Sequence, residues 1–214
     1  MPQILKADIH HSEDNIIRSA AAIISRGGVI AYPTETIYGL GVDATNEQAI
    51  RRLFEIKGRN FNNPVSVIIG TVQDVYPLVR KITDAAQKLM NAFWPGPLTI
   101  VFDASDSVSP LLTAGTGTIG IRLSGHDGAR KIARETGKPL TATSANRSGL
   151  PECTSADQVI AQIGDSIDAV LDLEEKGGTV GSTIIEMTSE QPVILRAGII
   201  TREEIERKTG LKIT

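Results

Sequence analysis

Cysteine is nearly absent. Cys153 is the one thiol in 214 residues, so an internal disulfide and a cysteine-based zinc site are both excluded, and nothing around it reads as a nucleophilic Cys/His pair. Histidine is scarce as well: His10, His11 and His126 keep no HxxxH or HExxH spacing, so no metal site is expected. Aromatic residues make up 4%, too few to build a base-stacking platform for single strands. No sign of charge dominates, because 22 Lys+Arg face 25 Asp+Glu, and the net charge of −3 argues against a dedicated nucleic-acid coat. The longest apolar stretches, such as Val65 to Ile69, fall far short of the roughly 20 residues a bilayer crossing needs, so no membrane span is expected. The opening MPQILKADIHHSED turns acidic at once and has no apolar signal segment, so the chain reads as cytoplasmic.

What is present suits a soluble globular protein, with 41% hydrophobic and 22% charged residues. Helical and strand patterns alternate without a linker or repeat, which predicts a single α/β domain over residues 1–214. Ser12 is placed to cap a helix whose apolar positions Ile16, Ile17, Ala20, Ile23 and Ile24 recur at three- and four-residue spacing before Gly27-Gly28. Thr45-Asn-Glu-Gln48 reads as a capping box opening a second helix, with Ala49, Ile50, Leu53 and Phe54 buried and Gly58 as its stop. Strands are expected at 29–32, 65–69, 98–102, 118–123, 140–143, 169–173, 183–187 and 193–196. Helices are expected at 71–80, 84–93, 127–136, 155–163 and 201–208. Together they suggest one twisted, open, mixed sheet flanked by helices.

Five loops concentrate glycine, proline, hydroxyl and basic residues beside strands, where open α/β sheets bind ligands. Tyr32-Pro-Thr-Glu-Thr-Ile-Tyr-Gly-Leu-Gly41 offers the hydroxyls of Thr34 and Thr36 and one carboxylate; the alternative is a turn that satisfies its own backbone. Lys57-Gly-Arg59, followed by Asn63-Pro64, supplies two cations that converge only if the chain leaves the helix at Gly58, and are otherwise solvated at a helix C-terminus. Thr143-Ser144-Ala-Asn146-Arg147-Ser-Gly149 has small donor residues able to approach an oligophosphate, although this segment is neither GxxxxGK[ST] nor GxGxxG; an Asx turn is the bland reading. Thr118-Ile-Gly-Ile-Arg122 ends a strand with an arginine suited to a carboxylate or phosphate. Gly181-Ser182-Thr183 and Leu195-Arg196-Ala-Gly198 close the set. Trp94-Pro95-Gly96-Pro97 reads as a rigid turn with Trp94 in the core, and Arg51-Arg52 as part of a solvated helix face.

Taken in order, these segments resemble the motifs of the YrdC-like threonylcarbamoyl-AMP synthases, from about residue 15 to residue 205. The resemblance implies a twisted α/β fold with a concave, positively lined cavity. It further implies an ATP- and Mg2+-dependent nucleotidyltransferase that turns L-threonine and bicarbonate or CO2 into threonylcarbamoyl-AMP and pyrophosphate. A tRNA-threonylcarbamoyl transferase complex would then pass the group to tRNA. Carried over residue by residue, Lys57, Arg59, Ser144 and Asn146 are expected around the ATP phosphates, Lys57 and Arg59 stabilising the charge that builds in the reaction. Asn63, Thr118 and Arg196 are expected on the nucleotide side, and Thr34, Thr36, Arg122 and Ser182 around threonine.

The chain also departs from the family. Ile68 stands in the stretch where many members carry a histidine, and Leu123 follows Arg122 where a proline is common. A chain of 214 residues is read as the short form without a C-terminal extension. Two other classes remain open: a module binding tRNA or double-stranded RNA, and a diverged nucleotide-binding paralogue lacking the reaction. The balanced charge weighs against the first and the intact KxR and SxN pairs against the second.

Overall fold

In a computed structural model, residues 1–6, 12–58, 60–173, 178–189 and 191–214 are described. The first elements are β1 (Gln3–Lys6), α1 (Glu13–Ser25), β2 (Ile30–Tyr32), β3 (Gly39–Gly41), α2 (Glu47–Lys57), β4 (Val67–Ile68) and α3 (Asp84–Phe93), with a 3-10 helix at Val72–Leu78. There follow β5 (Leu98–Asp103), α4 (Pro110–Thr113), β6 (Thr118–Arg122), α5 (Asp127–Thr136), β7 (Leu140–Thr141), β8 (Thr143–Ser144) and α6 (Ala156–Ile163). The last are β9 (Ala169–Asp172), β10 (Thr183–Glu186), β11 (Val193–Arg196) and α7 (Arg202–Thr209).

Local chemistry accounts for the helices. The Ser12 hydroxyl accepts from the Asn15 N–H, and the face carrying Ile16, Ile17, Ala20, Ile23 and Ile24 is buried against α5 and the β1–β9–β2 edge. At α2 the cap is Asn46, not Thr45: its side-chain oxygen accepts from the Gln48 and Ala49 N–H groups. Thr45 is turned the other way, its N–H and hydroxyl both donating to the Asp43 carboxylate at 2.7 Å. Gly58, with φ of 59°, ends α2 as expected. Leu53 and Phe54 lie fully buried beneath it, each worth about 1.5–3 kcal/mol. Of the helix expected at 71–80, Val72–Leu78 form a 3-10 helix that contains Pro77, and Val79 is already extended.

The expected single sheet is two. The first runs β1-β9-β2-β3-β8 and the second β11-β10-β5-β6-β4-β7, both mixed in direction. The division is made at the expected strand 140–143, which breaks at Ala142. Leu140 and Thr141 pair with β4 in the second sheet, while Thr143 and Ser144 pair with β3 in the first. Thr141 holds the seam: its hydroxyl donates to the Leu40 carbonyl and accepts from the Val42 N–H, both at 3.0 Å, and its carbonyl accepts from the Tyr32 phenol at 2.9 Å. β3, read as loop from its glycines, is a strand because a Cβ at Gly41 would stand 2.6 Å from the Tyr32 ring, so the bare backbone is what lets it pair with β2. The largest apolar cluster fills the space around the second sheet and α2, α3 and α6, with Trp94 in it as expected. Where the sheets meet, strand ends and connecting loops converge.

Candidate active-site cleft

A cleft of about 790 Å3, counted out to its open mouth, lies at that convergence. Its lining includes six residues singled out from the sequence, Thr34, Thr36, Arg122, Ser144, Ser182 and Arg196, which come from five separate segments. Thr34 and Thr36 lie on the loop leaving β2, Arg122 ends β6, Ser144 ends β8, Ser182 precedes β10 and Arg196 ends β11.

Arg122 is buried and already partly engaged. One terminal nitrogen donates to the Thr36 hydroxyl at 3.2 Å and the other to the Glu35 carboxylate at 2.9 Å. Its Nε–H is buried with no hydrogen-bond partner among the described residues. A guanidinium that lines a cleft suits a carboxylate or phosphate. Beside it the Thr34 and Thr36 hydroxyls are 2.8 Å apart, and Thr34 donates to the Ile37 carbonyl at 2.7 Å. Glu35 has the same origin but a different position: it is absent from the cleft lining and stands behind Arg122, taking further bonds from Ser124, Gly125 and His126. Burial alone would raise its pKa. The Arg122 charge, the Ser124 hydroxyl and the Gly125 N–H outweigh that and hold it below the ordinary carboxylate value.

Lys57, the last residue of α2, is buried and reaches the loop after β8. Its ammonium donates to the Ser144 carbonyl at 2.5 Å, the Asn146 carbonyl at 3.0 Å and the Asn146 side-chain oxygen at 3.2 Å. The Ser144 hydroxyl donates to that same Asn146 oxygen at 2.6 Å, and the Asn146 amide donates to the Leu150 carbonyl at 2.6 Å. In return the Ser148 N–H donates to the Lys57 carbonyl at 3.0 Å. These bonds hold the buried ammonium against the loop that carries Ser144. The solvated-terminus alternative for Lys57 therefore fails.

Arg196 folds back over the start of β10, donating to the Ser182 carbonyl at 2.8 Å and to the Ser182 hydroxyl at 3.1 Å. That hydroxyl also meets the Thr99 hydroxyl at 3.0 Å. Burial pulls the Arg196 pKa down, Glu152 at the cleft mouth pushes it up, and Arg122 adds to the lowering. Two guanidinium groups, near enough to oppose each other, thus line the cleft together with the Glu152 carboxylate.

Other expected residues stand apart. Asn63 is exposed, with its amide 3.5 Å from the Asn60 carbonyl, and does not line the cleft, although Pro64 does. Thr118 begins β6, so four residues at about 3.3 Å each put it some 13 Å along the strand from Arg122. Arg59 lies outside the described residues, as do His10 and His11. Ile68 lines the cleft and closes it with an apolar side chain. Tyr38 also lines it, but burial and the Asp172 and Asp157 carboxylates push its phenol up to about 12, so it stays protonated and donates to the Leu171 carbonyl at 3.1 Å. Sequence reasoning assigned no role to Glu35 or Thr99, whose partners are distant in the chain.

The family model Sua5_yciO_yrdC, described as "Telomere recombination", matches residues 22–198. The chain belongs to this family. A threonylcarbamoyl-AMP synthase of Pyrococcus abyssi is 40% identical over 194 residues, covering 91% of this chain and 57% of the relative. One of Bacillus subtilis is 39% identical over 200 residues, covering 93% and 58%. The chain thus spans less than two thirds of either relative's length. The crystal structure of P. abyssi Sua5 complexed with L-threonine superposes with a TM-score of 0.90 at 37% identity, covering 100% of this chain and 62% of that one. The α/β fold of mixed sheets flanked by helices is that of the family.

Proposed function

We propose that the chain is an L-threonylcarbamoyladenylate synthase, one catalytic domain that makes threonylcarbamoyl-AMP and pyrophosphate from L-threonine, bicarbonate or CO2, and ATP. The observation that carries the proposal is the meeting, in one cleft, of an arginine corner with two threonine hydroxyls, and a Ser144 edge backed by the buried Lys57 ammonium. The first suits an amino acid's carboxylate and hydroxyl, the second an oligophosphate. The names of the Pyrococcus and Bacillus relatives, and the threonine bound to the Pyrococcus protein, point the same way.

In this reading Arg122, Thr34, Thr36 and Ser182 receive threonine, while Lys57, Arg59, Ser144, Asn146 and Arg196 face the nucleotide. Thr118 and Asn63, at a distance from the cleft lining, would join the nucleotide side only through the outer part of ATP. The neutral threonine amine adds to CO2, the proton leaving nitrogen, and forms an N-carboxylate. An oxygen of that carboxylate attacks the α-phosphorus of ATP, the bond from the α-phosphorus to the bridging oxygen breaks, and pyrophosphate departs. Holding the carbamate against ATP is most of the task, because it decomposes in water unless trapped at once. Lys57 fixes the loop that carries Ser144 and contributes positive charge where the phosphates develop theirs. Mg2+ would arrive on the ATP phosphates and offset their charge. The product then passes to a tRNA-threonylcarbamoyl transferase complex in the cytoplasm.

Incubation with ATP, Mg2+, bicarbonate and a panel of amino acids tests this reading. The expected result is pyrophosphate and an adenylate product with threonine. Salt-sensitive tRNA binding with no threonine-dependent turnover would favour the RNA-binding alternative instead.

A further inference from the structure

The carboxylate of Glu35 is unusual in how completely it is used. It receives the Arg122 guanidinium at 2.9 Å, the Gly125 N–H at 2.7 Å, the His126 N–H at 3.4 Å and the Ser124 hydroxyl. Three of these donors belong to the connection between β6 and α5, and the fourth is the cleft's arginine. Ser124 is fully buried, and its carbonyl is tied in turn to the Arg130 side chain on α5. Glu35 is therefore anchored to rigid backbone on one side and grips Arg122 on the other. Its own main chain is fixed as well, because its carbonyl accepts from the Gly178 N–H at 3.2 Å.

We infer that Glu35 is a positioning residue for the threonine site: it holds the Arg122 guanidinium in the orientation that presents its Thr36-bound edge to the substrate carboxylate. The inference rests on the threonine reading above. It opposes the obvious electrostatic expectation. A glutamate touching the arginine should compete with a substrate carboxylate, so that removing its charge would tighten threonine binding. Two facts decide against that outcome. Glu35 is absent from the cleft lining, pinned behind Arg122 by three donors of the β6–α5 connection, and the one charge facing it is the guanidinium it pairs with. Arg122 has a long, flexible side chain whose other hydrogen bond among the described residues is the 3.2 Å contact with Thr36, and without Glu35 it has little to hold its fork in place. Orientation of a bidentate donor outweighs a charge held behind it.

The test is Glu35→Gln in the full chain, with L-threonine affinity measured by calorimetry and the threonine and ATP KM values measured separately. Loss of position predicts that threonine affinity falls about tenfold, equivalent to about 1.4 kcal/mol, while the ATP KM moves by less than about twofold. Ser124→Ala, which removes one donor to Glu35 without touching Arg122 or the cleft, gives a smaller fall in the same direction and decides the matter if Glu35→Gln does not fold. Tighter or unchanged threonine binding would make Glu35 a competing counter-ion or a bystander and overturn the inference. Equal weakening towards threonine and ATP would overturn it too, because that marks a general loss of structure. A wild-type protein that ignores threonine but takes ATP sinks the substrate reading itself and takes this inference with it.

Discussion

The Lys57 ammonium lies 3.0 Å from the carbonyl oxygen of Asn146 and 3.2 Å from its side-chain oxygen, so the end of α2 and the loop after β8 are one mechanical unit. Lys57→Ala should reduce pyrophosphate release by about a hundredfold, in the range seen when one preorganised electrostatic group is lost. Because Lys57 is the buried end of a helix and not a loop residue, the substitution also strands the oxygens it serves, at about 1–3 kcal/mol. For a chain of this size that corresponds to about 2–4 °C of Tm per kcal/mol. Ser144→Ala removes only a hydroxyl that donates to Asn146, so it should lower activity with a much smaller change in Tm. Differential scanning calorimetry beside a pyrophosphate assay separates the two; equal Tm losses would show that the unit does not depend on Lys57.

Arg122→Lys should raise the threonine KM about tenfold or more and leave the ATP KM nearly unchanged. A lysine has a point charge in place of a planar fork and cannot serve Glu35, Thr36 and an incoming carboxylate in one plane. Steady-state kinetics with each substrate varied in turn checks it, and a shift confined to ATP would reassign Arg122 to the nucleotide.

Much of this arrangement was legible in the sequence where the cause is local. The apolar faces of α1 and α2, the glycine stop at Gly58 and the arginine at the end of β6 all follow from spacing within a few residues. The break at Ala142 was not, because both half-strands are apolar or hydroxyl-bearing and only the Thr141 bonds to Leu40 and Val42, about a hundred residues away, divide them between sheets. β1 was invisible for a related reason: its burial alternation amounts to Leu5 alone, and the strand exists through its parallel pairing with β9. At the site, the meeting of Lys57 with Ser144 and Asn146 was anticipated from the family's motifs, not from the residues themselves. The Glu35 carboxylate was noted only as part of its loop, and its pairing was not legible because the charged partner lies 87 positions away.

Gly198→Ala should damage stability and activity together. A Cβ at Gly198 would stand 2.4 Å from the backbone of Ser182 and Thr183, atoms that cannot yield without moving the start of β10. That movement would carry Ser182 away from Thr99 and break the three contacts by which Arg196 is folded over it. Overpacking of this kind costs about 1–3 kcal/mol, and the accompanying loss should fall on whichever substrate Arg196 and Ser182 hold. Measuring Tm and both KM values resolves it. A variant with normal stability and kinetics would mean that the 196–198 turn relaxes freely and does not set the geometry of Arg196.

The acid limb of stability should depend on Glu35. Its folded pKa is depressed below the ordinary value, so the stabilisation it contributes is complete above that ordinary value and is lost as pH falls through the lower, folded one. Asp168 behaves alike: burial would raise its pKa, but bonds from Arg52 and the Val29 N–H bring it below normal. Its loss is common to wild type and a Glu35 variant and cancels in their difference. Glu35→Gln should therefore be less stable than wild type at pH 7, with the gap closing as the pH falls from about 4.5 through the depressed folded value, below which the wild-type carboxyl is neutral and resembles the amide. Thermal unfolding of both proteins across that interval reads the gap directly. Parallel curves would mean that the Glu35 charge is no better stabilised in the folded protein than in water, and the pair with Arg122 would then contribute nothing to holding the cleft.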